Sequence, residues 1–271
     1  MSLRSTCGIV LRTANHGEAD KLVTLYCSDL GRVTGIAKGA KKSKRRFVNK
    51  LEEFSLLHVF YRPPRGPAGL FLISEAELLA AHLSLRTDFR RYAAAMYLCE
   101  LVVRFTRDHD PDPRLYTLLK WAIAALHQEK APLHIVTLAH LHLLDAAGYR
   151  PELSRCACCH QAIGPGRTYI FLPGSGALLC SACSAGHGNH SLRLSVQTLR
   201  LLTSAQTFEL NRLHRLQFPR QALSEAMTAL HHFTLHLLQQ DVHSWNILRS
   251  LVADRTLSPA PSRGNPNLLQ P

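Results

Sequence analysis

Leu22-Val-Thr-Leu-Tyr-Cys-Ser-Asp-Leu-Gly-Arg-Val-Thr-Gly-Ile-Ala37 contains two short β-branched runs, Leu22–Cys27 and Arg32–Ala37, parted by the turn Ser28-Asp-Leu-Gly31. Alternating apolar side chains bounded by Asp and Gly mark two strands and the hairpin between them. Comparable runs flank this pair at Cys7–Arg12, Leu56–Arg62 and Leu70–Ser74, with further turn signals at Asn15-His-Gly17 and Pro63-Pro-Arg-Gly-Pro67. Five short strands in about eighty residues suit a small closed barrel. An OB-fold is the leading candidate, and an SH3-like barrel is nearly as good on spacing alone.

After Leu83 the period changes from two to that of a helix. Phe89, Ala93, Met96, Cys99 and Val103 recur at steps of three and four. Pro113 opens a second helix running to Leu126. Pro132 opens a third, with Leu133, Val136, His140, Leu144 and Ala147 on one face and Gly148 as its stop. Two more helical stretches follow at 195–205 and 220–240, the latter striped by Leu223, Met227, Leu230, Phe233 and Leu237. The class is therefore α+β. A five-stranded OB-fold barrel over 1–83 precedes an all-helical domain over 84–252, into which a four-cysteine zinc module is inserted at 155–186. Residues 253–271 hold four prolines and little to bury, so they read as a disordered tail.

Hydrophobic residues make up 46 % of the 271 and charged residues 19 %, which places the chain among globular proteins. No apolar run is long enough to cross a bilayer, and the N-terminus lacks a secretory signal, so the expected location is the cytoplasm. The formal charge of +13 is uneven: the first fifty residues carry 11 Lys/Arg against 3 Asp/Glu. Lys38, Lys41, Lys42, Lys44, Arg45, Arg46 and Lys50 crowd the connection after the third strand. Cations on a barrel loop track phosphates without reading base sequence. The run has no apolar face, which disfavours a membrane surface. Tyr26, Phe47, Phe54, Phe60 and Tyr61 lie nearby, and either stack with unpaired bases or fill the barrel.

Of eight cysteines, five fall between 156 and 183. Cys156-x-x-Cys159 and Cys180-x-x-Cys183 are two knuckles separated by twenty residues that read strand, turn, strand: Thr168-Tyr-Ile-Phe171, Pro173-Gly-Ser-Gly176, Ala177-Leu-Leu179. Two such knuckles complete a closed tetrahedron of thiolates around a structural zinc. Cys158 inside the first knuckle, His160 and His187 remain alternative ligands. Catalytic signatures are missing. Gly35-Ile-Ala-Lys-Gly39 fails the phosphate-loop spacing, and there is neither a His-Glu-x-x-His nor a Gly-x-Ser-x-Gly. His232 and His236 have helical metal spacing without a third ligand. The chain is expected to be a binding protein rather than an enzyme.

The run Gly31-Arg-Val-Thr-Gly-Ile-Ala-Lys-Gly-Ala-Lys-Lys42, the segment from Gly148-Tyr-Arg-Pro through Cys183, and Phe233 to Leu251 with Val242-His-Ser-Trp245 together resemble the bacterial RecO family of recombination mediators. The resemblance reaches to about residue 252. It implies an OB-fold, a helical domain interrupted by a zinc module, and a role in the RecF pathway of DNA repair. It further implies binding of single- and double-stranded DNA, annealing of complementary strands without ATP, and contact with RecR and with the C-terminal tail of single-stranded-DNA-binding protein during loading of RecA. DNA contact carries over to the seven basic residues named above. The third cysteine in Cys156-Ala-Cys-Cys159 departs from the family pattern. Charge and an OB barrel serve RNA equally well, so a zinc-ribbon RNA-binding or ribosome-associated protein is the competing reading.

Overall fold

A computed structural model describes residues 2–64, 66, 69–128, 131–186 and 191–253. All but the first residue of the expected tail, 253–271, lies outside the described residues. Strands β1 (Arg4–His16), β2 (Asp20–Cys27), β3 (Gly31–Ala37), β4 (Leu56–Arg62) and β5 (Phe71–Ala80) close into a barrel in the order β1-β2-β3-β5-β4. β1 pairs with both β2 and β4, and β3 runs parallel to β5. That order, with its single parallel pair, is the OB arrangement rather than the SH3-like one. Gly35 makes the parallel pairing possible: a Cβ there would meet Ile73 Cγ1 at 2.8 Å.

Two strands outrun the sequence reading. β1 begins at Arg4 and ends at His16, and its register with β2 slips between Val10 and Arg12. The extra residue bends the strand so that its two halves serve different neighbours. β5 continues past Ser74 to Ala80, still paired with β4 through Leu57↔Leu78 and Leu56↔Ala80. Leu78 and Leu79 are both exposed, so the apolar alternation that marks a strand is lost there.

The helical body comprises α1 (Ser84–Thr87), α2 (Phe89–Phe105), α3 (Pro113–Gln128), α4 (Pro132–Ala146), α5 (Val196–Thr207), α6 (Arg220–Leu238) and α7 (Trp245–Ala253). Between α4 and α5 lies a three-stranded antiparallel sheet of β6 (Tyr169–Leu172), β7 (Ala177–Cys180) and β8 (Leu192–Leu194), in the order β7-β6-β8. The helix boundaries follow local chemistry. Asp88 caps α2 by accepting from the amides of Arg90 and Arg91, and Ser195 caps α5 by accepting from that of Thr198. Gly148, at φ 84°, ends α4 as its amide and that of Tyr149 donate back to Asp145 and Leu144.

β8 and α7 were not evident from sequence, because distant groups hold them in place. The Glu100 carboxylate on α2 accepts from the amides of His243 and Ser244 and from the Ser244 hydroxyl, at 2.6–2.9 Å, just before α7 begins. Burial alone would raise the Glu100 pKa, but these donors and Arg104 outweigh it and hold the carboxyl below its ordinary range.

Barrel and body share one core. Ile9, Leu11, Tyr26 and Phe54 from the barrel pack with Leu98, Leu101, Leu115 and Leu119 from the helices. At the edge of this contact Arg32 Nε donates to Asp108 at 2.7 Å. A second core joins α4, α5 and α6 to the small sheet through Leu141, Leu144, Tyr169, Phe171, Leu199, Leu230 and Phe233.

Two buried histidines sit between helices. His140 Nε2 lies 2.7 Å from Thr234 Oγ1, and His231 stacks on Trp245 with ring centroids 3.9 Å apart. Burial pushes both down to about 3, helped at His140 by His231 and at His231 by His232 and Arg249. The folded chain thus holds them neutral, whereas in the unfolded chain they protonate near 6.5. Stability is complete above that value and is lost as pH falls toward 3. Between pH 7 and pH 5 the loss is about 2 kcal/mol per histidine. The urea midpoint is expected to fall over this interval and to fall less in His140→Gln. An equal fall in the variant would remove His140 as a cause.

Candidate functional site

The four knuckle thiols converge. The β6–β7 hairpin pairs Tyr169 with Cys180, and its turn ends at Gly176, at φ 65°. A Cβ at Gly176 would strike the Phe233 ring at 2.7 Å, so only glycine lets the hairpin lie against α6. The first knuckle is fastened to the hairpin by the Ala157 amide, which donates to Leu178 O at 2.7 Å. The Sγ atoms of Cys156, Cys159, Cys180 and Cys183 all lie within 4.8 Å of one another, and Cys159 and Cys180 are 3.8 Å apart.

Tetrahedral zinc with Zn–S of about 2.3 Å requires S–S edges of about 3.8 Å. Burial would raise the Cys156 thiol, but the amides of Cys159, Cys180 and Cys158 point at its sulfur and bring it down to about 6. Its crowded neighbour Cys183 is pushed the other way, chiefly by the thiols of Cys180 and Cys158. Four sulfurs this close cannot all ionise unless a cation compensates them, and the donor set fits one soft metal ion. Cys158 and His160 are exposed and stand outside this set, and His187 lies outside the described residues. Four sulfurs close the tetrahedron and leave no position for a substrate, as in a structural staple.

Cys156 and Cys180 belong to the second core, so loss of a bound ion would loosen the body before the barrel. Stripping the metal with a chelator at neutral pH is expected to lower the melting temperature and to release one ion per chain. Cys180→Ser should reproduce the loss. A melting curve indifferent to both would remove the staple role.

The basic segment occupies the β3–β4 connection. Gly39, at φ 68°, donates its amide to Asp20 Oδ1 at 2.7 Å, a 3-10 turn spans Ala40–Lys42, and the buried Phe47 and Leu51 tuck the loop into the barrel. The structure divides the seven cations. Lys50 is half-buried and spends its ammonium on three carbonyls: Arg45 and Arg46 at 3.2 Å, and Ala76 on β5 at 2.8 Å. Arg46 bonds Ser74 O at 3.3 Å and Lys38 O at 3.4 Å, with its guanidinium over the Phe47 ring. Lys41 makes one bond, to Gly17 O at 2.9 Å. Lys38, Lys42, Lys44 and Arg45 are exposed and have no side-chain hydrogen bond or ion pair among the described residues.

The nearby aromatics do not form a stacking platform. Tyr26, Phe47, Phe54 and Tyr61 are buried, and Phe60 alone is half-exposed, its ring 4.8 Å from that of His58. So small a barrel needs these rings as filler. Lys50→Met should cost about 1–3 kcal/mol in urea unfolding, since two loop carbonyls and one strand carbonyl lose their donor. Lys42→Met should cost nothing measurable. Equal behaviour of the two variants would contradict the division.

Comparison with known proteins places this arrangement. Residues 1–82 match the family described as Recombination protein O N terminal, and residues 86–246 match Recombination protein O C terminal. A protein named DNA repair protein RecO from Syntrophobacter fumaroxidans is 34 % identical over 218 residues, covering 80 % of this chain and 86 % of that one. Its counterpart from Syntrophus aciditrophicus is 30 % identical over 247 residues, 90 % of this chain and 94 % of that one. Another, from Anaeromyxobacter sp. strain Fw109-5, is 38 % identical over 177 residues, 65 % of this chain and 69 % of that one.

An OB barrel docked on a helical body, with both parts matched by the family models, thus places the chain in a class of DNA repair and recombination proteins. Within that class the chain belongs to the RecO family. Among the described residues no helix is long and apolar enough to cross a membrane.

Proposed function

We propose that this chain is a recombination mediator of the RecF pathway, acting in the cytoplasm at the nucleoid. In this reading the barrel (1–83) binds single- and double-stranded DNA and anneals complementary strands without hydrolysing a nucleotide. With RecR, the protein helps load RecA onto DNA coated by single-stranded-DNA-binding protein, whose C-terminal tail it contacts. The helical domain (84–252) carries a structural zinc on Cys156, Cys159, Cys180 and Cys183, and the protein catalyses no covalent step.

The observation that carries the reading is the set of exposed cations at Lys38, Lys42, Lys44 and Arg45 on an OB loop, unpartnered among the described residues, with Lys41 beside them. Side chains with no protein partner are available to phosphate oxygens, and each phosphate neutralised releases counterions. Arg46 and Lys50 act in this scheme mainly by holding the loop in shape. Charge that lowers repulsion between two strands, without gripping their base edges, leaves those edges free to pair.

The deciding experiment is annealing of complementary oligonucleotides pre-coated with single-stranded-DNA-binding protein, in the absence of nucleotide. Acceleration is expected. With about four phosphates engaged, log affinity for single strands should fall with log salt at a slope near −3. Replacing Lys41, Lys42, Lys44 and Arg45 together by Ala should reduce the affinity, the slope and the annealing rate. Intact DNA binding with no acceleration would defeat the mediator reading, and a preference for structured RNA over single-stranded DNA would favour an RNA-binding role.

A further inference from the structure

The helical body carries a cationic cavity that the loop reading leaves unused. Between Cys156 and Ser224 the chain has six arginines, no lysine and a single carboxylate, Glu209. The next acid along, Glu225, is committed to the protein. It accepts from the Ser195 amide at 2.8 Å, the Thr198 hydroxyl at 2.6 Å and the Gln221 side-chain amide at 2.9 Å. Charge of one sign gathered on one part of a molecule draws in polyanions.

The arginines gather around a concave opening. A cavity of about 490 Å³ lies between three segments: Gly166 in the connection from the first knuckle to β6, Val196, Gln197 and Arg200 on α5, and Gln217 and Pro219 at the entry to α6. Its size falls in the range that takes a small organic group such as one nucleotide. Arg200 is part of the wall. Arg193 on β8 is three residues from Val196 and Arg215 is two from Gln217, so their backbones lie within about 11 Å of the lining. All three side chains are exposed, and none has a hydrogen bond or ion pair among the described residues. The walls rest on the second core through Leu199, Leu202 and Phe218, and that core contains no barrel residue. The β3–β4 loop is tucked into the barrel's own core through Ala40, Phe47 and Leu51. The two cationic surfaces are therefore built on separate cores.

We propose that this cavity and its arginine rim hold a second single strand of nucleic acid, separate from the strand held by the β3–β4 loop. Arg193, Arg200 and Arg215 meet backbone phosphates, and the cavity takes one unpaired nucleotide beside the Gln197 and Gln217 amides. Cations spread over β8, α5 and the entry to α6 match a repeating anion better than the single carboxylate of a peptide end. A guanidinium fork also suits phosphate oxygens. The inference deepens the annealing role and rests on it. Two strands held on one molecule meet at a far higher effective concentration than two strands free in solution.

The test titrates the full-length chain with fluorescein-labelled oligothymidylate at low salt and counts strands bound. The parent is expected to take two strands per chain. The body variant, with Arg193, Arg200 and Arg215 all changed to Gln, should take one, as should the loop variant with Lys41, Lys42, Lys44 and Arg45 changed to Ala. With about three phosphates engaged at the body, the strand left on the loop variant should show a salt slope near −2. The body variant should anneal bare complementary strands about tenfold more slowly while its loop still binds one strand. Lysine at the same three positions should restore annealing, because an ammonium also neutralises a phosphate. The three arginines are exposed and unpaired, so melting curves of parent and variants should coincide.

If the body variant binds and anneals like the parent while the loop variant is impaired, the body site is wrong and the loop reading stands. If only the body variant is impaired, the loop reading fails and the body site stands. If the loop variant takes up polyglutamate through these arginines and no oligothymidylate, the surface is an acidic-peptide site and the second-strand proposal falls.

Discussion

Helix α2 has almost no free side, and the rest of the molecule is arranged around it. Ala93, Ala94 and Ala95 are all buried, as are Tyr97, Leu98, Cys99, Leu101 and Val102. Three consecutive small side chains let neighbours approach from several directions at once, and α2 touches β1, α1, α3, α4 and α7. The polar ends of the helix are equally committed. Asp88 satisfies its first amides, while Glu100 near its other end gathers the backbone that leads into α7. Once α2 is placed, the barrel is oriented by short-range constraints. The Tyr26 hydroxyl accepts from the Asp112 amide at 3.3 Å, and Gly31, at φ 64°, lies so close to Asp110 that a Cβ would meet its carbonyl oxygen at 2.4 Å. The open approach at Gly31 is one a larger residue would wedge apart.

Charge is divided in the same economical way. A run of seven cations looks uniform along the chain, yet Lys50 and Arg46 turn inward to carbonyls of their own loop and of β5, and Lys38, Lys42, Lys44 and Arg45 are left facing solvent. A loop this basic would be spread by self-repulsion if it were not pinned. The inward pair, together with the buried Phe47 and Leu51, pins it while the remaining charge stays on display. The module carrying the thiols meets a different difficulty. Its three strands are four, four and three residues long, too few to bury a core of their own. Packing of Tyr169 and Phe171 on α4 and α6, with four thiols positioned for one ion, supplies the missing cohesion.

Much of this was legible in the chain itself. The barrel strands, five of the helices, both cysteine knuckles and the basic loop all carry local signals: alternation, 3.6-residue periodicity, Pro and Gly punctuation, and ligand spacing. Those signals act over a few residues and persist whatever the rest of the molecule does. Contacts distant in sequence decided the remainder. Closure of β3 against β5 depends on Gly35 meeting Ile73, and α7 depends on a carboxylate more than a hundred residues away. The exclusion of Cys158 from the thiol set and the inward turn of Tyr26, Phe54 and Tyr61 are matters of which groups face one another in space. Residue type and spacing determine what a side chain can do, but burial and the presence or absence of a partner, which only tertiary packing settles, determine which of those capacities remains available.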